Sequence, residues 1–471
     1  MESDTILCGD CNATNPRWAS VNRGVYLCDD CSAVHRYLGR HISQVKHLKL
    51  SRWRPTQLAM INYLAKANVN RFWEHLIYEQ QLAKKEQKPS TTVQKPKPTD
   101  AAFTVKADFI RRKYIFLEFF RKPKSMNQED LNQQLHASVR TGVLETSLYL
   151  LALGANPNAI HSTKGTTAVH VACQNSQVGQ LELLMAYGGD VCAIDSNNST
   201  PIDIALNTGS AAAETNDNLS SNSDLTSQVN LDQKLRSAWS PLMDALIGSF
   251  YEVTDGLAYY LCRRVPDHKA AVFGDKSNTA PLPPPIPGSP MLVNAPNCHF
   301  IIPSSFFNSL PHGSPSRTSE QRKRLRRLTT NAFEGLCIDV YDEAERRLTN
   351  SIMLDQRAQK QDPNAGSSLP FLPPNTAYSS VRNQARQKLG RLSPEEFQAL
   401  ALDTLCEAAT RLVPLFPAKK APLTPKPRHP AFSEKLPKHR SQATPSNGNE
   451  ESQYDDPIYD QVSVPHRSGK R

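Results

Sequence analysis

Long apolar runs are missing from this sequence of 471 residues. No stretch reaches the ~18 consecutive apolar residues that a membrane-spanning helix needs, so we expect no such helix. The start, Met1-Glu-Ser-Asp, has neither a basic region nor an apolar core, which argues against a signal peptide. Cysteine is scarce as well, and six of the ten stand alone. This pattern excludes a disulfide framework and suits a reducing compartment.

Glycine is less frequent than proline, with 20 and 35 residues respectively, and charged residues make up 21%. This composition indicates folded modules joined by proline-rich linkers, and the length suggests about three domains. The formal net charge of +10 favours acidic partners or phospholipid head groups without proving either. We therefore expect a cytoplasmic, multidomain protein that contacts membranes peripherally.

Two close cysteine pairs, Cys8-x2-Cys11 and Cys28-x2-Cys31, are separated by sixteen residues. Each pair offers two thiolates from one tight turn, and this spacing is typical of a tetrahedral zinc site. Four thiolates fill the coordination shell and leave no position for a substrate, so the metal would be structural. Four unconnected free cysteines are the weaker interpretation. Any chemistry must then come from a neighbouring residue.

The neighbour is Arg36, in a segment that predicts a helix from the second cysteine pair to Gly39. Val34 and Leu38 lie four apart and form an apolar side, which turns Arg36 toward the other side and outward. For an arbitrary helix, a solvated arginine would be the better interpretation. The alternative is an arginine finger, a guanidinium that stabilises negative charge on a phosphoryl group during transfer.

The cysteine spacing, the arginine five residues after the last cysteine, and the runs Pro16-Arg-Trp18-Ala-Ser and Leu38-Gly39-Arg-His41-Ile-Ser resemble the Arf GTPase-activating proteins. The resemblance covers residues 1–122 as one small α+β zinc-finger domain. It implies one structural Zn2+ on the four cysteines, no further cofactor, and Arg36 as the catalytic finger that acts on a GTP-bound Arf. The chain would then activate hydrolysis by another protein rather than be an enzyme itself.

A GATA-like DNA-binding finger has a similar cysteine spacing and is the alternative. Residues 1–85 carry twelve Lys/Arg against seven Asp/Glu, a net of +5. That charge suits nucleic acid, but it equally suits an anionic membrane surface or a nucleotide-bearing partner. The context of Arg36 and the modules that follow favour the GTPase-activating interpretation, so we expect no nucleic-acid partner.

Apolar stripes predict the other helices of this domain. One opens at Pro55, a residue suited to a first turn, another begins near Asn70, and a third runs from Phe109 to Phe120. A small zinc module needs such helices because its cysteine turns bury little surface.

Residues 131–262 contain an internal repeat. Gly154-Ala-Asn-Pro-Asn158 returns thirty-four residues on as Gly188-Gly-Asp-Val-Cys192, and the run from Gly165 to Ala172 returns from Ser199 to Ala205. The pattern resembles ankyrin repeats, which implies a helical solenoid of about three repeats. The Ser/Asn/Thr-rich stretch 210–228 is predicted to be a disordered insert.

Residues 317–412 contain a second duplication, in which 322–348 aligns with 386–412 at a distance of sixty-four residues. Both copies predict helices, and we prefer a partner-binding pair to a simple helical core. The copies resemble the Spa-homology repeats of the GIT proteins, and the order of zinc module, ankyrin repeats and tandem Spa-homology repeats is that of the same family. The resemblance implies PIX-type exchange factors and focal adhesion kinase as partners. The matched pairs include Leu325/Leu389, Leu328/Leu392, Phe333/Phe397, Asp339/Asp403, Glu343/Glu407 and Arg347/Arg411.

A proline-rich linker at 263–316 and a tail at 413–471 complete the chain, and both are predicted to be disordered. The tail holds Tyr454 and Tyr459 beside acidic residues, a weak indication of phosphorylation sites that SH2 proteins would bind. It shows neither the coiled coil nor the four-helix bundle of the GIT family. This departure counts against paxillin binding and suggests a short isoform or a fragment.

The sequence thus predicts a mainly α, multidomain protein with a small α+β zinc-finger module, an ankyrin-repeat solenoid and tandem helical Spa-homology repeats. We expect it to activate Arf GTPases and to act as a signalling scaffold for exchange factors and kinases at focal adhesions or endosomes. The alternative is a scaffold without GTPase-activating activity.

Overall fold

A computed structural model of the protein describes residues 6–83, 93–123, 125, 127–214, 239–269, 292–293, 302–303, 317–360 and 368–411. The described residues are mainly helical with a small three-stranded sheet, which confirms the fold class at this coarse level. The predicted tail at 413–471, with Tyr454 and Tyr459, lies outside the described residues, as does most of the predicted linker at 263–316.

The chain divides into two compact units. Of the described residues, the first unit holds those up to Ser249 together with Thr349–Leu369, and the second holds Phe250–Leu348 and those from Pro370 onward. Within the part of the chain that the structure describes, every helix falls short of the length and apolar character that a bilayer crossing requires.

The sheet of the first unit consists of β1 (Trp18–Ser20), β2 (Val25–Leu27) and β3 (Val45–His47). The central strand β1 pairs antiparallel with both neighbours, in the order β2-β1-β3. Gly24 closes the β1–β2 turn with φ +68, and a Cβ there would meet Leu64 at 3.0 Å. The turn therefore needs glycine for its backbone and for the close approach of a helix.

Helices surround this sheet. Pro55 opens one of them as predicted, whereas the helix expected near Asn70 is divided after Trp73 into two. The helix expected to reach Phe120 ends at Tyr114, because Leu117 adopts a left-handed φ of +49 and the chain turns to bury the aromatic side chains that follow. The helical segments are α1 (Asp29–Leu38), α2 (Pro55–Lys66), α3 (Asn70–Trp73), α4 (His75–Ala83), a π-helical turn (Ala102–Lys106) and α5 (Ala107–Tyr114).

Six further helices of the first unit follow in three successive pairs, in the region where the internal repeat was found. The helix Pro201–Glu214 takes up the first residues of the insert predicted at 210–228, and the rest of that insert lies outside the described residues. In chain order the pairs are α6 (Gln128–Ser138) and α7 (Leu144–Ala152), α8 (Ala168–Gln174) and α9 (Val178–Ala186), and α10 (Pro201–Glu214) and α11 (Pro241–Phe250). α6 contacts α7, α8 contacts α9, and α10 contacts α8.

Polar and aromatic contacts join the zinc module to these helix pairs within the first unit. The buried carboxylate of Glu182 accepts hydrogen bonds from Arg54 Nη2 at 2.7 Å and from the Thr56 hydroxyl. The ring of Phe120 stacks on Tyr149 with centroids 5.1 Å apart. The carboxylate is anchored by more than one donor, so this contact is a fixed part of the fold.

The second unit contains both copies of the second duplication. Its core includes Leu325, Leu336, Leu389 and Phe397, together with Leu257 of a helix that the repeat pattern had assigned to the ankyrin region. That region, predicted to end at residue 262, therefore gives its last helix to the second unit. The elements are α12 (Glu252–Cys262), β4 (Leu292–Val293), β5 (Ile302–Pro303), α13 (Arg317–Arg327), α14 (Thr330–Lys360), α15 (Ser380–Leu389) and α16 (Pro394–Arg411). Of α14, the residues up to Leu348 belong to this unit and those from Thr349 onward to the first.

Candidate metal centre and the covered guanidinium

The first cysteine turn is closed by its own backbone. Cys8 N–H donates to Ala13 O at 2.9 Å, and Asn12 N–H donates back to Cys8 O at 3.0 Å. Asn12 takes a positive φ of 59, a conformation that asparagine tolerates better than most residues. Gly9 N–H donates to Tyr26 O, which fixes the turn to β2.

The second cysteine pair lies at the beginning of a helix. Cys28 is the residue before α1 and Cys31 lies in the first turn, so the helix sets the distance between their sulfurs. All four cysteine sulfurs lie within 4.8 Å of one another, and Cys11 Sγ is 3.6 Å from Cys28 Sγ. The structure thus brings together the four residues that the spacing had selected.

This donor set suits a tetrahedral metal ion. Four sulfurs at ~2.3 Å from a central zinc would be about 3.8 Å apart, which is close to the separations in the cluster. Hydrogen bonding within the cluster, with Cys11 as the largest cause, lowers the pKa of Cys8 and raises that of Cys31. Four thiolates this close together repel one another, and a cation among them would compensate their charge. Among the described residues, this is the one cluster of potential ligands found.

A buried network of charged side chains around Asp10 lies beside the cysteine cluster. Asp10, which lies between the first two cysteines, is fully buried and accepts hydrogen bonds from Lys113 Nζ, Tyr114 Oη and His35 Nε2, each at 2.9 Å. Burial alone would raise the pKa of Asp10, but the charges of Lys113 and His35 outweigh it and lower the pKa to about 2. The carboxylate is therefore ionised and ties the cysteine turn to α1 and α5.

Lys113 is the centre of this network. Its ammonium group donates to Asp10, Glu74, Asn70 and the carbonyl of Gly9, over 2.7 to 2.9 Å. Burial opposes its charge, but the two carboxylates prevail and raise the pKa of Lys113 well above the usual value. Sequence reasoning alone missed both Asp10 and Lys113. The position of Asp10 between two cysteines was the available signal.

α1 holds Arg36 one residue after a completely buried histidine. His35 Nδ1 lies 2.7 Å from Ser43 Oγ, and its other ring nitrogen contacts Asp10. Val34 and Leu38 are buried as predicted. Arg36 lies two residues from each of them along α1 and therefore on another side of the helix.

The guanidinium of Arg36 is nevertheless covered, which corrects the expectation that it faces outward. Only 7% of Arg36 is exposed. Its Nη1 lies 2.9 Å from Met353 Sδ, and its Nη2 donates to Asn350 Oδ1 at 2.6 Å. Both partners belong to the last turns of α14, which form part of the first unit. No periodicity within α1 could have indicated a cover supplied from more than 300 residues away.

Two family models match this chain. The ArfGap model, described as a GTPase-activating protein for Arf, matches residues 2–123. The model of the Spa2 homology domain of GIT matches residues 322–349. The first match covers the metal centre and Arg36, and the second covers the first copy of the later duplication.

Relatives extend the similarity along most of the chain. A mouse ARF GTPase-activating protein GIT2 is 38% identical over 413 residues, which are 86% of this chain and 49% of the relative. The chain belongs to the GIT family. Human GIT1 is 38% identical over 410 residues, 86% of this chain and 45% of that protein. Git of Drosophila melanogaster is 34% identical over 422 residues, with 86% and 49% covered. The chain thus spans about half the length of these GIT proteins.

Proposed function

We propose that this chain accelerates GTP hydrolysis by an Arf-family GTPase and that Arg36 supplies the decisive positive charge in trans. The observation that carries the proposal is the position of Arg36 on α1, whose first turn provides two of the four clustered sulfurs. The match of this module to a GTPase-activating family supports it. The activator would not consume a substrate of its own, since the GTPase supplies the nucleotide and the magnesium ion.

Each part of the module has a role in this mechanism. A structural zinc ion on Cys8, Cys11, Cys28 and Cys31 would cross-link the two cysteine turns and leave no open coordination position. The network around Asp10 fixes the direction of α1, so that the guanidinium would reach the nucleotide without reorganisation of its own backbone. Arg36 would offset the charge that develops on the phosphate oxygens as water attacks. Arginine fingers contribute roughly 10³–10⁵ in rate, or about 4–7 kcal/mol.

The test is single-turnover GTP hydrolysis by Arf with wild-type chain and with Arg36→Lys. Lysine lacks the planar fork of arginine, so we expect a loss of at least about 10²-fold. Arg71→Lys, at an exposed position of the same module, should match the wild type. If Arg36→Lys and the unsubstituted chain gave equal rates of GTP hydrolysis, in the wild type and in every active variant, Arg36 would have no part in the mechanism.

A scaffold function is the second part of the proposal. The three helix pairs between Gln128 and Phe250 support an assignment as ankyrin repeats, and the interlocked helices of the second unit support tandem Spa-homology repeats at 322–348 and 386–412. PIX-type exchange factors and focal adhesion kinase are the partners we propose for the latter, at membranes, focal adhesions or endosomes. Capture of a PIX-type factor by the full chain, and its loss when surface residues of the second unit are changed, would test this.

A further inference from the structure

The cover over Arg36 is built by one face of a helix. Asn350, Met353 and Gln356 are spaced three residues apart, which places them on the same side of α14. Met353 and Gln356 are 5% and 9% exposed, whereas Leu354 is 49% exposed and Ser351 also faces solvent. The last turns of α14 thus present a polar and thioether face to the zinc module and a different face to water.

A second contact aligns this helix face with the sheet of the zinc module. Gln356 Nε2 lies 2.7 Å from His47 Nε2, at the end of β3. His47 Nδ1 is already engaged, because it accepts from the backbone N–H groups of Lys49 and Leu50. The cover therefore rests on two separate points of the module, Arg36 and His47, and this fixes its direction.

Asn350 also contacts Leu369, which follows the covering helix in the chain. Its Nδ2 donates to Leu369 O at 2.9 Å, and Leu369 N–H donates back to Asn350 Oδ1 at 3.1 Å. The same amide oxygen accepts from Arg36. One side chain thus joins the guanidinium, the helix and the residue Leu369 that follows the helix in the chain.

A guanidinium held in this way cannot enter the nucleotide site of another protein. An arginine finger must place its donors within hydrogen-bond distance of a phosphate oxygen. Here both terminal nitrogens of Arg36 are directed at α14, and the side chain is 7% exposed. The face that the proposed mechanism needs is therefore occupied by the chain itself.

We propose that the α14 segment from Asn350 to Gln356 is an internal competitor for the surface through which the zinc module engages its GTPase. This inference rests on the proposed function. In the covered state the module cannot deliver Arg36, and activity requires the segment to withdraw from Arg36 and His47. The competing ligand is a GTP-bound GTPase, whose phosphate oxygens would replace the amide oxygen and thioether as acceptors for the guanidinium.

The experiment compares two double variants of the full chain. Asn350→Ala with Met353→Ala removes the two described acceptors of Arg36, and Ser351→Ala with Leu354→Ala changes the adjacent residues on the exposed side of the same turns. Hydrogen bonds to charged groups are strong enough that we expect the first variant to raise the rate of GTP hydrolysis by Arf about tenfold. The second should match the wild type. Adding Arg36→Lys to the first variant should abolish the gain.

A second measurement does not depend on the GTPase. Phenylglyoxal modifies accessible guanidinium groups, and mass spectrometry of digested protein reports its reaction at Arg36 alone. We expect slow modification in the wild type and in the control variant, and several-fold faster modification once Asn350 and Met353 are alanine. Circular dichroism confirms that the variants are folded.

The outcomes separate the two ideas. Equal modification of Arg36 in the wild type and the first variant would overturn the cover and hence the competition. Faster modification with an unchanged, Arg36-dependent rate of hydrolysis would also overturn the competition, while the proposed function would stand. Faster modification with no hydrolysis by any variant would overturn the proposed function, and the competition with it.

Discussion

Arg322 donates to the carboxylate of Asp403 at 2.9 Å, and the residues sixty-four positions away form the reciprocal pair, in which Arg386 donates to Asp339. Each pair joins one copy of the duplication to the other. Asp339 and Asp403 are almost completely buried, so each needs the arginine of the opposite copy to compensate its charge. The copies therefore interlock rather than stand side by side.

A second reciprocal contact follows the same rule. Arg347 Nη2 donates to Leu389 O at 3.1 Å, and Arg411 Nη2 donates to Leu325 O at 2.8 Å. Each arginine reaches carbonyls at the C-terminal end of the other copy's first helix, where unpaired acceptors and the helix dipole favour a cation. Each also lies over the opposite phenylalanine, at 4.2 Å for Arg347 and 4.3 Å for Arg411.

We predict that Arg347→Met and Arg411→Met destabilise the second unit by similar amounts, on the order of 2 kcal/mol each, because each leaves carbonyls of the other copy without their donor. Each also removes one of the two arginines beside Glu343 or Glu407. The measurement is far-UV circular dichroism during urea unfolding. Arg326→Met, at a position whose side chain is 65% exposed, should cost well under 1 kcal/mol. A large difference between Arg347→Met and Arg411→Met would contradict the reciprocal arrangement.

Lys113 gives a sharper test in the first unit. Lys113→Met leaves Asp10 and Glu74 buried without their shared cation, and breaking such a pair costs about 3–5 kcal/mol. Tryptophan fluorescence during urea unfolding measures the loss, since Trp73 is buried nearby in this unit. The neighbouring Arg112→Met removes a partly exposed pair with Glu118 and should cost at most about 1 kcal/mol. Similar costs for both variants would show that the network is not needed.

The metal centre and the duplication could be predicted from sequence because each repeats a short pattern that chemistry constrains. The cysteine spacing is fixed by the reach of a tight turn, and the ion pairs and capping arginines of the second unit must occur twice for the copies to interlock. The sequence did not indicate that the helix Glu252–Cys262 packs with the second duplication, where Leu257 lies in the core of the second unit. The apolar pattern of a helix shows which of its faces is buried, but not which neighbouring helices that face packs against.

The cover over Arg36 could not be predicted for a related reason. Asn350 and Met353 are 314 and 317 residues away, and their helix continues from the first copy of the duplication without a break. A polar and a thioether side chain at helical spacing are ordinary features of a surface. The apolar pattern of α1 sets Arg36 apart from Val34 and Leu38, but it contains no information about what the arginine side chain meets.

Removal of metal should unfold the zinc module. The sulfurs of the two cysteine turns lie within 4.8 Å of one another, and the binding energy of a structural zinc is also folding energy. We expect one zinc per chain by atomic emission, and a shift in the fluorescence of the buried Trp18 on addition of a chelator. Cys8→Ser should lose the metal, whereas Cys173→Ser, a buried cysteine outside the cluster, should keep it. A chain that retains its zinc with Cys8→Ser would contradict the assignment.

The stability of the helix pairs depends on pH through His136. Burial, followed by the charge of His161, lowers the pKa of His136 to about 4, and His136 Nε2 lies 2.9 Å from Thr166 Oγ1. In the unfolded chain His136 binds a proton below about pH 6.5, whereas in the folded chain it does so only below about pH 4. This contribution to stability is therefore complete above pH 6.5 and declines as the pH falls toward 4, by on the order of 2 kcal/mol.

Replacing His136 by glutamine should remove this part of the pH dependence. Other buried histidines contribute in the same direction, since burial also lowers the pKa of His47 to about 4, so the difference between variant and wild type is the quantity to measure. Urea unfolding at pH 7 and pH 4.5 should show a smaller loss of stability for His136→Gln, while His75→Gln, at the surface of the zinc module, should follow the wild type. Parallel losses for wild type and His136→Gln would mean that the folded state accepts the proton at His136.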